Sequence, residues 1–204
     1  MYTPNIYKDE DPESIRAFLK GNSFGILINQ THGKLCATHI PIELELNTDG
    51  KEILQGHISK LNPQAEGFAE NDQVLAVFSG AHGYISPSWY DHENVPTWNY
   101  IAVHVYGRIK IVDETATIEQ LKKLVDKYEA SSENPVRVED LSAKTMREAR
   151  GIFGFEIEID EIQATKKLSQ NRDDHNYKNI ISELEKTENP QSIALANEMS
   201  KYRK

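Results

Sequence analysis

The sequence predicts a mainly β protein with peripheral helices, an α+β chain whose strands run antiparallel. Three observations predict it. Tight turns, Thr31-His32-Gly33-Lys34 and Asn47-Thr48-Asp49-Gly50, separate apolar runs, and Asp-Gly in such a place is a strong hairpin signal. From Thr97 to Val112 the chain alternates: Ile101, Val103, Val105, Ile109 and Ile111 face one side, Tyr100, His104, Tyr106, Arg108 and Lys110 the other. Helical periodicity is confined to segments outside the hairpins. Turn-linked strands of this kind favour a barrel or a sandwich over a doubly wound parallel sheet.

Asp11-Pro12-Glu13 reads as a helix start, with an acid at the N-cap and proline in the first turn. Ile15, Phe18 and Leu19 share its apolar face, and Gly21-Asn22 stops it. Residues 23–30, 35–46 and 52–59 then form a three-stranded meander, with Pro41 marking a bend or an edge. Asn62-Pro63 opens a short helix that runs to Glu70. Residues 73–78 and 83–86 give a fourth and a fifth strand, and residues 86–96 a polar loop. After the long strand, amphipathic helices are expected over residues 117–128 and 142–150. Phe153, Phe155, Ile157 and Ile159 alternate with acids as a strand with one wet face, and residues 164–168 read as its neighbour. The tail reads as two helices broken at Asn189-Pro190. The expectation is about seven strands, with residues 1–172 as one domain and the tail, 173–204, packed on it.

The chain has 204 residues, enough to bury a core without staples. Its one cysteine, Cys36, forbids an internal disulfide and fits a reducing compartment. No signal peptide and no apolar run of bilayer length is visible, so a cytoplasmic, membrane-free protein is expected. A net charge of −9 disfavours direct binding to a phosphate backbone. The dinucleotide fingerprint, P-loop, CxxC, HExxH and GxSxG patterns are absent.

Four groups of residues carry candidate chemistry. Ser59-Lys60, with the backbone amides from Asn62 onward, offers a hydroxyl, a cation and N–H donors to a phosphate; a solvated lysine and a capping asparagine are the plain reading. His39, His57 and His104 sit on strands and could converge on a metal, or be hydrogen-bonded histidines. Tyr84, Trp89, Tyr90, Trp98 and Tyr100 could sandwich a flat ligand, anchor a subunit interface or form ordinary core. Residues 167–172, Lys-Leu-Ser-Gln-Asn-Arg, form a dense donor patch suited to a phosphate or a heterocycle, or a capped surface turn.

In order along the chain stand Ala37-Thr38-His39-Ile40-Pro41, Gly56-His57 through Asn62-Pro63-Gln64, and Tyr84-Ile85-Ser86-Pro87-Ser88-Trp89-Tyr90. Val95-Pro96-Thr97-Trp98-Asn99-Tyr100, Ala102-Val103-His104 to Gly107-Arg108, and Lys167 to Arg172 follow. Together they resemble the PaiB family, the FMN-binding negative transcriptional regulators, over nearly the whole chain. The resemblance implies a split β-barrel like that of pyridoxamine-phosphate oxidases and flavin reductases. It implies a homodimer with FMN between subunits, and repression of sporulation and protease production. It places Thr38 and His39 at the flavin ring, with His57 on the neighbouring strand. Ser59, Lys60 and Asn62 would hold the phosphate, and Trp98, Asn99, Lys167, Ser169, Gln170 and Arg172 would approach from the same or the partner subunit. The resemblance implies no catalytic residue. Rival readings on the same fold are an FMN-dependent oxidoreductase with His57 or His104 as proton donor, and a haem-binding or haem-degrading barrel with a strand histidine as axial ligand. A protein-interaction module with a vestigial pocket is a further one. DNA is a partner by family label alone. Ala65, Ala81 and Lys60 depart from the aromatic, proline and arginine usual at these places, and a lysine lacks the bidentate fork of arginine.

Overall fold

The structure, a computed structural model, describes residues 1–70 and 72–203; Lys204, the last residue of the expected tail, lies outside the described residues. A short strand β1 (Lys8–Asp9) precedes helix α1 (Pro12–Gly21). The Asp11 carboxylate caps α1, accepting from the Glu13 N–H at 3.1 Å. Strands β2 (Phe24–Thr31), β3 (Lys34–Leu46) and β4 (Glu52–Ser59) form the expected meander. Its two turns need left-handed residues, and Gly33 (φ 74°) and Gly50 (φ 76°) supply them. A 3-10 turn (Pro63–Glu66) and helix α2 (Gly67–Glu70) lead to β5 (Gln73–Ile85) and β6 (Thr97–Ile111). Helix α3 (Glu114–Glu129), strand β7 (Ile152–Lys167) and helices α4 (Asp174–Lys186) and α5 (Pro190–Tyr202) complete the chain.

The strand order is β1-β7-β4-β3-β2-β5-β6, and β7 also pairs with β6. That extra pairing closes β2 to β7 into a six-stranded ring, which removes the open edges a sheet would otherwise expose. No helix among the described residues is long and apolar enough to cross a membrane.

The packing divides into two compact units, neither continuous in sequence. The first comprises residues 1–22, 78–104 and 163–204. Its core joins Ile85 of β5, Ile101 of β6 and Leu168, just past the end of β7, to Ile180 and Leu184 of α4 and Leu195 and Met199 of α5. The Tyr177 hydroxyl donates to the Met199 carbonyl at 2.8 Å, tying the two tail helices together. The second unit comprises residues 23–77 and 105–162. Leu27, Leu54, Ile58, Phe155 and Ile157 fill it, and Phe68 meets Phe155 edge-on at 6.4 Å between ring centroids.

Three elements and one side chain differ from the sequence expectation. Residues 73–85 are one strand, not two, because Gly80 continues the sheet while making room for Phe18; a Cβ there would lie 2.6 Å from the Phe18 ring. Residues 152–167 are likewise one strand, so the segment expected as its neighbour at 164–168 is that strand's own end, through Lys167, instead of pairing beside it. Residues 145–151 form a 3-10 helix, which buries no residue and so lacks the packing that would favour an α-helix. Ile111, placed on the core side, is 37% exposed near the strand end.

Gly107 sits where β6 meets β7. A Cβ added there would lie 2.2 Å from the Glu158 carbonyl oxygen and 2.7 Å from Ile157 Cγ2. We expect Gly107→Ala to lower stability by about 1–3 kcal/mol or more, read from the urea midpoint. Gly151→Ala, whose Cβ would meet nothing within 4 Å, is the matched control and should leave the midpoint within about 0.5 kcal/mol.

Candidate functional site

The sequence-named residues fall into two groups, one in each unit. In the second unit, β4 ends at Ser59, and the chain turns through Lys60 and Leu61 into the Pro63–Glu66 turn. Asn62 caps that turn, accepting from the Gln64 N–H at 3.0 Å. Gln64 is 2% exposed and locks the turn to the meander. Its side-chain amide donates to the Leu27 carbonyl at 2.9 Å, and its side-chain oxygen accepts from the Thr38 hydroxyl. Its backbone carbonyl accepts from Asn29 at 3.2 Å and from Thr31 at 3.3 Å. The Asn62 amide in turn donates to Thr38 Oγ1 at 2.9 Å.

This network engages most of the donors that the sequence offered to a phosphate. The Lys60 N–H goes to the Gly151 carbonyl at 2.8 Å, and the Leu61 N–H to Ser59 Oγ at 3.2 Å. The Asn62 and Ala65 N–H groups close onto Ser59 and Asn62 carbonyls at 3.0 Å each. The backbone amides from Asn62 onward therefore belong to the turn. What the segment presents outward is the Lys60 ammonium and the Ser59 hydroxyl proton, since Ser59 Oγ accepts from Leu61 while its O–H stays available. Lys60 is exposed and lies 5.2 Å from the Phe153 ring centroid, a cation–π contact that leaves the charge accessible. A hydroxyl and a lysine cation fit a phosphate group. His39 is exposed on β3, its ring 6.4 Å from that of Phe24.

His57 lies apart from this group. It lines a small hollow with Glu43, Gln55, Gln120 and Leu124, against α3. Burial lowers its pKa and holds the ring neutral. The structure gives no Thr38–His57 contact, and the register pairs Ile42 with Gly56 and ends there. Among the described residues, no three histidine, cysteine, aspartate or glutamate side chains converge as a metal site.

In the first unit, Asn99 is fully buried and exchanges hydrogen bonds with Ser169, donating at 2.8 Å. Ser169 holds a left-handed backbone (φ 58°), which turns the chain out of β7. Gln170 closes that turn, accepting from the Leu168 N–H at 2.8 Å and donating to the Lys166 carbonyl at 2.6 Å. Lys167 donates to Thr97 Oγ1, and Arg172 stacks 4.9 Å above the Tyr90 ring. Trp98 is 54% exposed and stands in a cleft of about 350 Å³ with Tyr84, Trp89 and His82. Its ring lies 6.2 Å from Tyr84 and 6.3 Å from His82. Sequence reasoning missed the role of Gln64 and did not single out Asn94, which accepts from Arg172 at 3.5 Å. For Gln64 the Asn-Pro-Gln run was the available signal; for Asn94 no pattern marks it.

Two half-buried histidines set a pH dependence. His104 is also held below the usual imidazole value, by burial first and then by the positive chain terminus. An unfolded chain would bind these protons near pH ~6.5 while the folded one resists them. Stability is therefore full above that pH and falls as pH drops below it. We expect the thermal midpoint to fall between about pH 7.5 and about pH 5.5, and to fall less in His57→Gln. Equal falls in both proteins would show that His57 is not among the groups responsible.

Comparison with known proteins gives a consistent result. A family model described as "Putative FMN-binding domain" matches residues 1–161. The chain is 42% identical over 200 residues to "Protease synthase and sporulation protein PAI 2" of Bacillus subtilis, covering 98% of this chain and 96% of that one. Among solved structures, it is similar to the FAD and heme binding protein from Mycobacterium smegmatis (16% identity, TM-score 0.62), over 84% of this chain and 78% of that one. It is also similar to the flavocytochrome Anf3 from Azotobacter vinelandii (19% identity, TM-score 0.63), over 85% and 75% respectively. At those identities the likeness is one of fold. With a family match over most of its length and a relative at 42% identity, the chain belongs to the PaiB family of FMN-binding-domain proteins, built on a split β-barrel.

Proposed function

We propose that the chain is an FMN-binding regulator that acts as a homodimer and holds the flavin phosphate on Ser59 and Lys60. The observation that carries this reading is the segment from Ser59 to Gln64. Its backbone is satisfied internally, while a lysine cation and a hydroxyl face outward. Bound FMN would supply a two-electron redox centre and a visible chromophore. The chain's own residues bind and orient it. Lys60 neutralises phosphate charge and Ser59 donates to a phosphate oxygen. Thr38 and Asn62 hold the turn in place, and exposed His39 supplies a donor on the adjoining strand. Of the first unit's residues, Trp98 presents a flat, exposed ring suited to a flavin. Asn99, Ser169 and Gln170 have their polar groups engaged within the fold and act by positioning.

Exposed apolar side chains favour a second copy. Phe24 (66% exposed), Leu35 (81%) and Leu61 (92%) lie on the second unit, and Leu61 adjoins Lys60 itself. A partner covering them would remove apolar surface from water and dry the phosphate contact. The name of the Bacillus relative ties that protein to protease synthesis and sporulation, and we carry the regulatory class over to this chain. The net charge of −9 opposes direct contact with DNA, so regulation would run through the flavin or a protein partner.

Titration of the protein with FMN, followed by flavin absorbance and fluorescence, tests the site. Lys60→Ala should weaken binding by about 1–3 kcal/mol, roughly 5–150-fold. Unchanged affinity would remove Lys60 from the site. Sedimentation at micromolar concentration should give two copies per particle, and a monomer in the presence of FMN contradicts the dimer. A labelled duplex should not be retained at moderate salt; retention of one operator against competitor DNA would overturn the charge argument.

A further inference from the structure

Lys167 and Arg172 flank the turn that follows β7, and among the described residues neither is ion-paired. Lys167 donates to Thr97 Oγ1 and lies 5.8 Å from the Tyr7 ring centroid. Arg172 lies flat over Tyr90 and reaches Asn94 Oδ1 at a long 3.5 Å. The two cations feel each other: burial first, then the charge of Arg172, pulls the Lys167 pKa down. Two like charges held together in a partly desolvated place raise the free energy of the protein unless an anion joins them.

The neighbouring donors point the same way. Asn94 Nδ2 is buried and makes no hydrogen bond. The amide is not reversed, because its oxygen accepts from both Arg172 and the Val95 N–H, the latter at 2.9 Å. Tyr90 is 8% exposed, and its hydroxyl also has no partner. A buried donor left unmade carries a desolvation penalty, so native proteins leave few of them without a ligand or water. Three of the nearby carboxylates are engaged elsewhere. Asp91 and Asp173 both take the Asn176 amide, and Asp174 pairs with Arg203 at 2.9 Å.

We propose that Lys167, Arg172, Asn94 and Tyr90 form an oxyanion site for a phosphate group. Two cations match a dianion, and the flanking amide and hydroxyl supply neutral donors to its remaining oxygens. The site stands on residues of the first unit alone and is independent of the assignment of Lys60. The phosphate could be that of a flavin nucleotide or of a separate phosphate compound, and the test separates the two.

The probe is inorganic phosphate, added to the full chain freed of flavin and followed by the side-chain 15N resonances of Arg172 and Asn94. Saturable shifts of both are expected, together with a rise in the Lys167 pKa. In Arg172→Gln the Asn94 resonance should respond at least ~10-fold more weakly. Asn94→Asp, nearly isosteric, places a carboxylate beside the cations; it should raise the thermal midpoint and abolish the phosphate response. Unmoved resonances at saturating phosphate, or an unaltered response in Asn94→Asp, would overturn the site. FMN and riboflavin then identify the source. If FMN displaces phosphate from these resonances and riboflavin does not, the anion is the flavin's own, and Lys60 loses its role while this site stands. If FMN binds by absorbance without displacing phosphate, the anion belongs to a second ligand.

Discussion

One buried amide fixes the geometry on which the flavin reading rests. Gln64 spends its side-chain N–H on the backbone of β2, its side-chain oxygen on the Thr38 hydroxyl of β3, and its carbonyl on Asn29 and Thr31. Removing Gln64 would leave several of these partly or fully buried polar groups short of a partner, at a cost of about 1–3 kcal/mol for each one left unsatisfied. The turn after β4 therefore has one low-energy position. Gly67 is part of the same constraint: a Cβ there would lie 2.2 Å from Thr31 Oγ1 and 2.6 Å from the Gln30 carbonyl oxygen. With the backbone so held, the Lys60 side chain emerges from a rigid base. Preorganisation of this kind keeps the entropy cost of binding low, although a lysine must still order its own long stem.

The two units use their polar residues differently. In the second unit the Gln64 network engages most polar groups of the turn, and the Lys60 ammonium and the Ser59 hydroxyl proton are what it leaves outside. In the first unit Asn99, Ser169 and Gln170 satisfy one another or the backbone, whereas the Asn94 Nδ2 and Tyr90 hydroxyl have no partner and, among the described residues, Lys167 and Arg172 have no carboxylate. A sequence motif such as residues 167–172 therefore mixes residues that shape a turn with residues that meet a ligand. Ser169 and Arg172 stand three apart in that motif, yet one buries its hydroxyl on Asn99 and the other lies over Tyr90.

Much of the fold is legible in the sequence. The two turns at Gly33 and Gly50, the caps at Asp11 and Asn189 and the alternation of β6 are local signals, and each marks its element. Tertiary effects hid the rest. Gly80 looks like a strand break until Phe18 is seen against it. The acids of residues 158–161 look like a wet strand end, but Arg108 bridges Glu158 at 3.2 Å and Asp160 at 3.1 Å, and the strand runs on. At the site, residue types marked Ser59 and Lys60 as candidate phosphate donors, and both are exposed. They could not show that the neighbouring amides close on the turn itself, because that depends on φ and ψ rather than on composition. The orphaned Asn94 amide has no sequence signature at all.

The phosphorus of the flavin nucleotide reports most directly on the central claim, that the chain grips a phosphate beside a fixed cation. Its 31P resonance can be followed through the second ionisation, free and in the complex. A lysine at Ser59-Lys60 favours the dianion, so the phosphate should ionise at lower pH when bound and return toward the free value in Lys60→Ala. A bound phosphate that titrates as it does in free solution contradicts the account.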